Sequence, residues 1–358
     1  MLEHGGRLGR AAARYGIARE RWLDLSTGIS PYGWPVPEIS PSAWHRLPED
    51  DDDLMEAAQS YYGGEHLLPV AGSQAAIAAL PRLRGPSRVA VIAPSYAEHA
   101  HAWRRAGHDV TTLPLAELRE RGAEFDVAVL IRPNNPTGEF LSREDVLTLQ
   151  DALWEAVWEA RLRAKGACRE HPSRASALPT RAAPSFATAP WLIVDEAFID
   201  TRPGDSLVAD AREGLIVLRS VGKFFGLAGA RAGFVAACPT ILDALAEELG
   251  PWTLSGPTRH VVARALRDHV WQASARESLR RDSARLAAVL ASHGLSPDGD
   301  CEFFQYVVRD DAAAIADALA RQAVLVRVFD DPSALRFGLP GDGATFDRLD
   351  RALREAMA

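Results

Sequence analysis

The chain has 358 residues, and at roughly 150 residues per domain that points to two domains. Its 40 Lys and Arg against 48 Asp and Glu leave a net charge of −8, which argues against tracking nucleic acid, since that needs a basic footprint. Hydrophobic residues at 47% and charged residues at 25% suit a folded globular protein, and no apolar run reaches the ~20 residues of a membrane span. The three cysteines (Cys168, Cys238, Cys301) stand too far apart for a disulfide framework or a CxxC metal or redox motif. Residues 1–7 lack a charged segment followed by an apolar stretch, so no signal peptide is expected and a cytoplasmic location is. The stretch up to Tyr32 carries no evident strand signal and reads as an arm, residues 1–32, packing on the carboxy-terminal unit. Short continuous apolar runs then predict strands at 89–92, 127–131, 192–194, 215–218 and 233–235, separated in places by helical patterns such as 97–106 and 143–160. This alternation predicts an α/β large domain with a mostly parallel sheet over residues 33–238. Within it, residues 161–190 are rich in Arg, Ala, Pro and Ser and read as an exposed insertion. Beyond Pro239 the pattern predicts helices at 241–249 and 260–292, the second long enough to link domains. Strands follow at 303–308, 324–328 and 334–337, with helices at 311–321 and 345–356. That is a smaller α+β domain, residues 239–358.

Lysine is the telling residue. Only Lys165 and Lys223 occur among the 40 basic residues, a bias toward Arg that makes each survivor worth attention. Arginine replaces lysine as a solvated charge but cannot lose its proton and act as an amine nucleophile. Lys165 falls in the insertion and reads as a loop lysine. Lys223 lies in Ser220-Val221-Gly222-Lys223-Phe224-Phe225-Gly226, just after an expected strand, where apolar surroundings lower an amine's pKa as an imine-forming lysine requires. Arg231, eight residues on, offers a bidentate grip on phosphate.

Three further segments join it. Gly72-Ser73-Gln74 opens a helical run and presents free backbone N–H groups, a phosphate cup. Pro133-Asn134-Asn135-Pro136-Thr137-Gly138 follows a strand directly, where open α/β sheets bind ligands. Ile193-Val194-Asp195-Glu196 ends a buried strand in a carboxylate, which needs a cationic partner there. Each segment alone is an ordinary turn more often than not. Together they supply a phosphate cup, a carboxylate, an imine lysine and a phosphate arginine, the parts a pyridoxal phosphate enzyme requires.

The order GSQ, Pro94-Ser95-Tyr96, PNNPTG, DEAF and SxxKxxxxxGxR resembles the aminotransferase family of aspartate aminotransferase fold over nearly the whole chain. That resemblance implies that Lys223 carries the cofactor covalently, Asp195 pairs with the pyridinium nitrogen, Asn135 bonds the ring hydroxyl and Tyr96 stacks on the ring. Gly72, Ser73, Gln74, Ser220 and Arg231 would hold its phosphate. His4-Gly5-Gly6, residues 25–31, Pro251-Trp252, Leu325-Val326-Arg327 and Leu335-Arg336-Phe337 are similar to the threonine-phosphate decarboxylases of cobalamin biosynthesis. The narrower resemblance implies decarboxylation of L-threonine O-3-phosphate to (R)-1-aminopropan-2-ol O-phosphate by a homodimer. Arg336 would bind the substrate carboxylate, Arg327 and His4 its phosphate, with Gly28 and Asn135 also beside the substrate. The alternative is a histidinol-phosphate or related aminotransferase.

Two positions depart from the family pattern. Leu47 stands where relatives often carry a Tyr that crosses the dimer interface, and Gly222 precedes the lysine where Ser or Thr is common. Other readings are weaker. Glu98-His99-Ala100-His101 suggests a metal pair, but i and i+2 point apart on a helix, so a solvated or partner-facing helix is expected and no metal site. The acidic run at 49–53 reads as a solvated turn, and Trp22, Trp154 and Trp158 as packing stripes. A cofactor-binding regulator that has lost catalysis would lack the lysine or carry a DNA-binding domain. Lys223 is present and the charge is acidic.

Overall fold

Apolar runs with no polar alternation need both faces covered, and here helices cover them. The computed structural model describes residues 4–164 and 189–358. In chain order the strands are β1 (Leu23–Asp24), β2 (Leu67–Val70), β3 (Arg88–Ile92), β4 (Asp109–Leu113), β5 (Val127–Ile131), β6 (Trp191–Asp195) and β7 (Leu215–Ser220). Then come β8 (Gly233–Ala236), β9 (Gly299–Cys301), β10 (Phe304–Val308), β11 (Val324–Leu325), β12 (Arg327–Asp330) and β13 (Ser333–Gly338). Seven of them form one sheet in the order β2-β8-β7-β6-β5-β3-β4. β8 runs antiparallel to β2 and β7, and the other pairs are parallel. The fold is the expected α/β one with a mostly parallel sheet. Alternate residues feed two cores: Ala128, Leu130, Leu192 and Val194 face one side, Val127, Val129, Trp191 and Ile193 the other. The edges β2 and β4 escaped the sequence reading. Pro69 and the pair Thr111-Thr112 interrupt their apolar runs, as an edge tolerates.

Parallel pairing brings three strand ends into one row. Ile131 is registered with Asp195, and Asp195 with Leu218, two residues before the end of β7. The loops carrying Asn135, Asp195 and Lys223 therefore leave the sheet side by side.

A separate antiparallel sheet, β12-β13-β10-β9, uses the carboxy-terminal strands. The strand expected at 324–328 splits at Val326, because β11 pairs with β1 while β12 pairs with β13. β1 corrects the expectation of a strandless amino-terminal stretch: Leu23 and Asp24 pair in parallel with Val324 and Leu325. Helix Leu8–Tyr15 packs through Ala11 against Ala320 and Ala323, and Tyr15 Oη donates to Asp317 Oδ1 at 2.7 Å. The long helix expected at 260–292 is two, Gly256–Arg267 and His269–Ser292. Asp268 divides them by accepting from Trp271 N at 3.0 Å, an N-cap that starts a fresh helix.

Helix Arg143–Ala164 runs into the expected insertion, so residues 161–164 are helical. At its other end Ala189 is fully buried and its carbonyl accepts from Arg84 Nη1 at 2.6 Å. Residues 165–188, with Lys165 and Cys168, lie outside the described residues. The acidic run is more than a solvated turn, since Asp52 accepts both Nε and Nη2 of the buried Arg259, at 2.6 and 2.8 Å. Among the described residues no helix is long and apolar enough to cross a membrane.

Candidate active site

A cleft at the carboxyl ends of the parallel strands is lined by Gly72, Ser73, Gln74, Tyr96, Asn135, Asp195, Ser220, Lys223 and Arg231, every residue expected to contact a cofactor. Ile131, Ala197, Phe198, Gly222 and Ala232 complete its wall. Five loops, following β2, β3, β5, β6 and β7, meet here because those strands belong to one sheet.

Asp195 ends β6 and is 4% exposed. Its Oδ1 accepts from Ala197 N at 3.1 Å, and its Oδ2 accepts from His99 Nε2 at 3.0 Å. His99 corrects the reading of the Glu98-His99-Ala100-His101 helix as solvated: His101 is exposed, but His99 is buried behind Asp195. It shares its helix face with Trp103, four residues on, and that spacing was the available signal. Among the described residues no group of three or more His, Cys, Asp or Glu could hold a metal ion.

Lys223 sits in the single turn Val221–Phe224 that follows β7. Removal from water pulls its amine down to about 8, helped by the Arg336 guanidinium and by Arg231, and opposed by Asp195. Gly222 suits this turn, because a Cβ there would lie 3.1 Å from Ala228 Cα, so a Ser or Thr would demand a shift of backbone. In the cup, Gly72 has φ +74°, and a Cβ on it would lie 2.8 Å from Arg231 Nη2. Glycine thus lets the Arg231 guanidinium lie against the backbone of the cup. Tyr96 Oη donates to Gln74 Oε1 at 3.2 Å, and burial with Glu98 and Asp195 nearby raises its phenol to about 12.

The Asn135 loop is pinned by its neighbour. Asn134 Nδ2 donates to Pro94 O at 2.9 Å and to Thr137 Oγ1 at 2.7 Å. Gly138 has φ +75°, and a Cβ there would fall 2.1 Å from Asp300 O, so only glycine closes the turn. Asn135 Oδ1 accepts from Arg336 Nη1.

Arg336 is 6% exposed and without a carboxylate partner among the described residues. Its Nη2 donates to Ser26 O at 2.9 Å, and its Nε has no partner. Burial lowers its guanidinium to about 10, with Arg327 adding to the effect and Cys301 opposing it. β12 and β13 set Arg327 directly across from Arg336. Like charges at such a pair repel, and an anion between them relieves the repulsion. His4 and Arg327 are not in the cofactor cleft. They line a neighbouring groove with Arg7, Arg10, Arg14 and Ser26. Gly28 lines neither; it is buried where a Cβ would meet Phe198 at 2.9 Å and Phe304 at 3.1 Å.

Behind the cleft lies a buried ionic group that the sequence reading missed. Glu196 accepts from Arg132 Nη1 at 2.7 Å, Arg219 Nη1 at 3.1 Å and Ser206 Oγ at 2.7 Å, and Arg219 Nη2 donates to Asp200 at 2.8 Å. Arg132, Glu196 and Arg219 directly adjoin Ile131, Asp195 and Ser220 at the three strand ends.

The family model for aminotransferase class I and II matches residues 40–156 and 187–353. A threonine-phosphate decarboxylase of Pseudomonas aeruginosa is 49% identical over 354 residues, 99% of this chain and 97% of that protein. One from a Sinorhizobium species is 38% identical over 365 residues, covering 100% and 98%. Among solved structures, the histidinol-phosphate aminotransferase of Clostridium acetobutylicum superposes with a TM-score of 0.76 at 18% identity, covering 94% of this chain and 99% of that one, a likeness of fold alone.

Proposed function

The chain belongs to the class I and II aminotransferase family, and from that premise we propose that it is a pyridoxal phosphate enzyme that decarboxylates L-threonine O-3-phosphate. The product is (R)-1-aminopropan-2-ol O-phosphate, the cobalamin precursor, because the reaction leaves the substrate's C3 untouched. One CO₂ departs and one proton is added at Cα. The residues fit the cofactor: a buried carboxylate backed by a histidine, an amine of lowered pKa, and an arginine seated against a glycine cup.

The observation that carries this reading is the opposed pair of arginines. Arg336 is buried beside Lys223 with no counter-ion among the described residues, and Arg327 faces it across β12 and β13. A buried guanidinium left unpaired is costly, so the site is complete only with an anion. A substrate with a carboxylate at one end and a phosphate at the other answers both arginines. Histidinol phosphate has no carboxylate for Arg336, whereas its co-substrate 2-oxoglutarate has. The decarboxylase reading is favoured by the relatives at 49% and 38% identity over the full chain.

Pyridoxal phosphate, when bound, supplies the electron sink for the bonding pair that departing CO₂ leaves on Cα. The chain's own groups do the rest. Gly72, Ser73, Gln74, Ser220 and Arg231 would hold the phosphate, Tyr96 would lie beside the ring, Asn135 would meet its hydroxyl, and Asp195, fixed by His99, would keep its nitrogen protonated. Lys223 Nζ would hold the cofactor in the resting enzyme and, once free, deliver the proton to Cα. Asn135 steadies Arg336 through Nη1, so the carboxylate is held at one fixed place, and that choice favours breaking the bond to the carboxylate over the Cα–H bond. Arg327 and His4 take the substrate phosphate. The reading divides the chain at residues 32 and 238 and includes a cytoplasmic homodimer, supported by the exposed side chains of Trp44, Leu47 and Trp252, each at least 60% accessible.

The test is direct. Holoenzyme given O-phospho-L-threonine without a keto acid releases CO₂ and aminopropanol phosphate. Absence of both, with glutamate formed from histidinol phosphate and 2-oxoglutarate, would overturn the reading.

A further inference from the structure

An unbroken polar chain runs from the cofactor cleft to the amino-terminal arm. Tyr96 Oη donates to Gln74 Oε1 at 3.2 Å, Gln74 Nε2 donates to Glu98 Oε2 at 3.3 Å, and His4 Nε2 donates to Glu98 Oε1 at 2.7 Å. Gln74 and Tyr96 line the cleft, whereas His4 lines the neighbouring groove with Arg327. Its ring centre lies 6.1 Å from that of Tyr96. Glu98 therefore stands at the seam between the two pockets. Its side chain is only 18% exposed, so little water screens the carboxylate.

A carboxylate at that seam is at odds with a site built for anions, unless its oxygens are taken up by hydrogen-bond donors. His4 is the group it meets. The arm holding His4 is itself fixed from the other side: Gly6 N donates to Ser26 Oγ at 2.7 Å, and a Cβ on Gly5 would fall 2.1 Å from Ser26 O. That same Ser26 carbonyl accepts from Arg336. The backbone of the arm is thus tied to the carboxylate anchor, and its histidine to Glu98.

We propose that Glu98 is a positioning residue for the substrate's phosphate: it grips His4 through Nε2 and so fixes how the imidazole is presented to the phosphate. This rests on the reading of His4 as a phosphate contact. A ring held by a carboxylate at Nε2 is fixed in orientation, and its Nδ1 edge is turned away from Glu98. Both Glu98 oxygens are engaged, Oε1 by His4 and Oε2 by Gln74, so neither is left to face the incoming dianion.

The experiment uses holoenzyme variants H4A, E98A, E98Q and the double variant H4A/E98A, each assayed with O-phospho-L-threonine. E98A should raise KM about tenfold, the effect of losing one charge-assisted hydrogen bond, and more than it lowers kcat. E98Q keeps an acceptor for His4 and should recover part of the loss. Because Glu98 acts through His4, E98A should add little in the H4A background, a coupling that a merely structural role would not produce. The visible band of the lysine-bound cofactor should persist in E98A. Additive losses, an unmoved KM, or loss of the band, which would assign Glu98 to the cup through Gln74, each overturn the proposal. Wild-type enzyme that makes no aminopropanol phosphate overturns the functional reading and the proposal with it. Normal wild-type turnover with an unmoved E98A KM overturns the proposal alone.

Discussion

Lys223 is buried beside Arg336, whose guanidinium weakens the amine's hold on its proton, while burial and Arg327 weaken that of Arg336 itself. The amine ends near pH 8, within reach of neutral solution, while the guanidinium at about 10 stays charged. The neutral amine is the nucleophile, and it predominates above its pKa. Apoprotein mixed with pyridoxal phosphate should therefore bind it covalently at a rate that rises with pH and levels off above about 8. A midpoint at the 10.5 of an ordinary lysine would show that the amine is not buried against these arginines. Arg336→Met should raise that midpoint, since it removes the larger of the two opposing cations. The residues of the cofactor cleft were legible in the sequence because each falls in a short segment of unusual chemistry beside an expected strand. His99 was not, since its nearest chemical signal in the sequence is the i, i+2 spacing to His101, while its partner lies 96 positions away on another element. Glu98 was hidden for the same reason.

At the scale of elements, the strand ends are held by charge in a place where charge is costly. Arg132, Glu196, Arg219 and Asp200 are all within 2% of full burial and balance to zero. Breaking one such pair strands its partner in low dielectric, so Arg219→Met should destabilise the fold by about 3–5 kcal/mol, read by urea denaturation of the apoprotein. A loss under about 1 kcal/mol would mean that water reaches Glu196 and Asp200. The strands that carry this group were read correctly, because burial on both faces leaves an unbroken apolar run. β1 could not be read that way. It is two residues long, and what makes it a strand is β11, some 300 positions away, rather than its own propensity. The division of the long helix at Asp268 was readable in principle: an Asp followed three residues later by a free backbone N–H is a start signal, but the apolar periodicity continued across it and masked the cap.

Across the whole molecule, the net charge of −8 works against a phosphorylated amino acid, which approaches as an anion. The groove beside the cleft reverses that sign locally. Among the described residues, His4, Arg7, Arg10, Arg14 and Arg327 line it together with Asp317 and Asp330, and Arg14 lies 3.7 Å from Asp317. Helix Leu8–Tyr15 makes the pattern, since Arg10 and Arg14 are four residues apart and share its face. At ordinary ionic strength charges act over a Debye length of about 8 Å, so the groove outweighs the distant acidic surface for a ligand already near it. Lowering the salt lengthens that reach and deepens the attraction to a concave, charged wall. The kcat/KM for O-phospho-L-threonine should then fall as salt is added. Reversing one wall charge, Arg10→Glu, should lower it by up to about tenfold at low salt and flatten its salt dependence. Steady-state assays across a sodium chloride series decide the matter. A kcat/KM that rises with salt would show that the acidic bulk, and not the groove, sets the field the substrate meets.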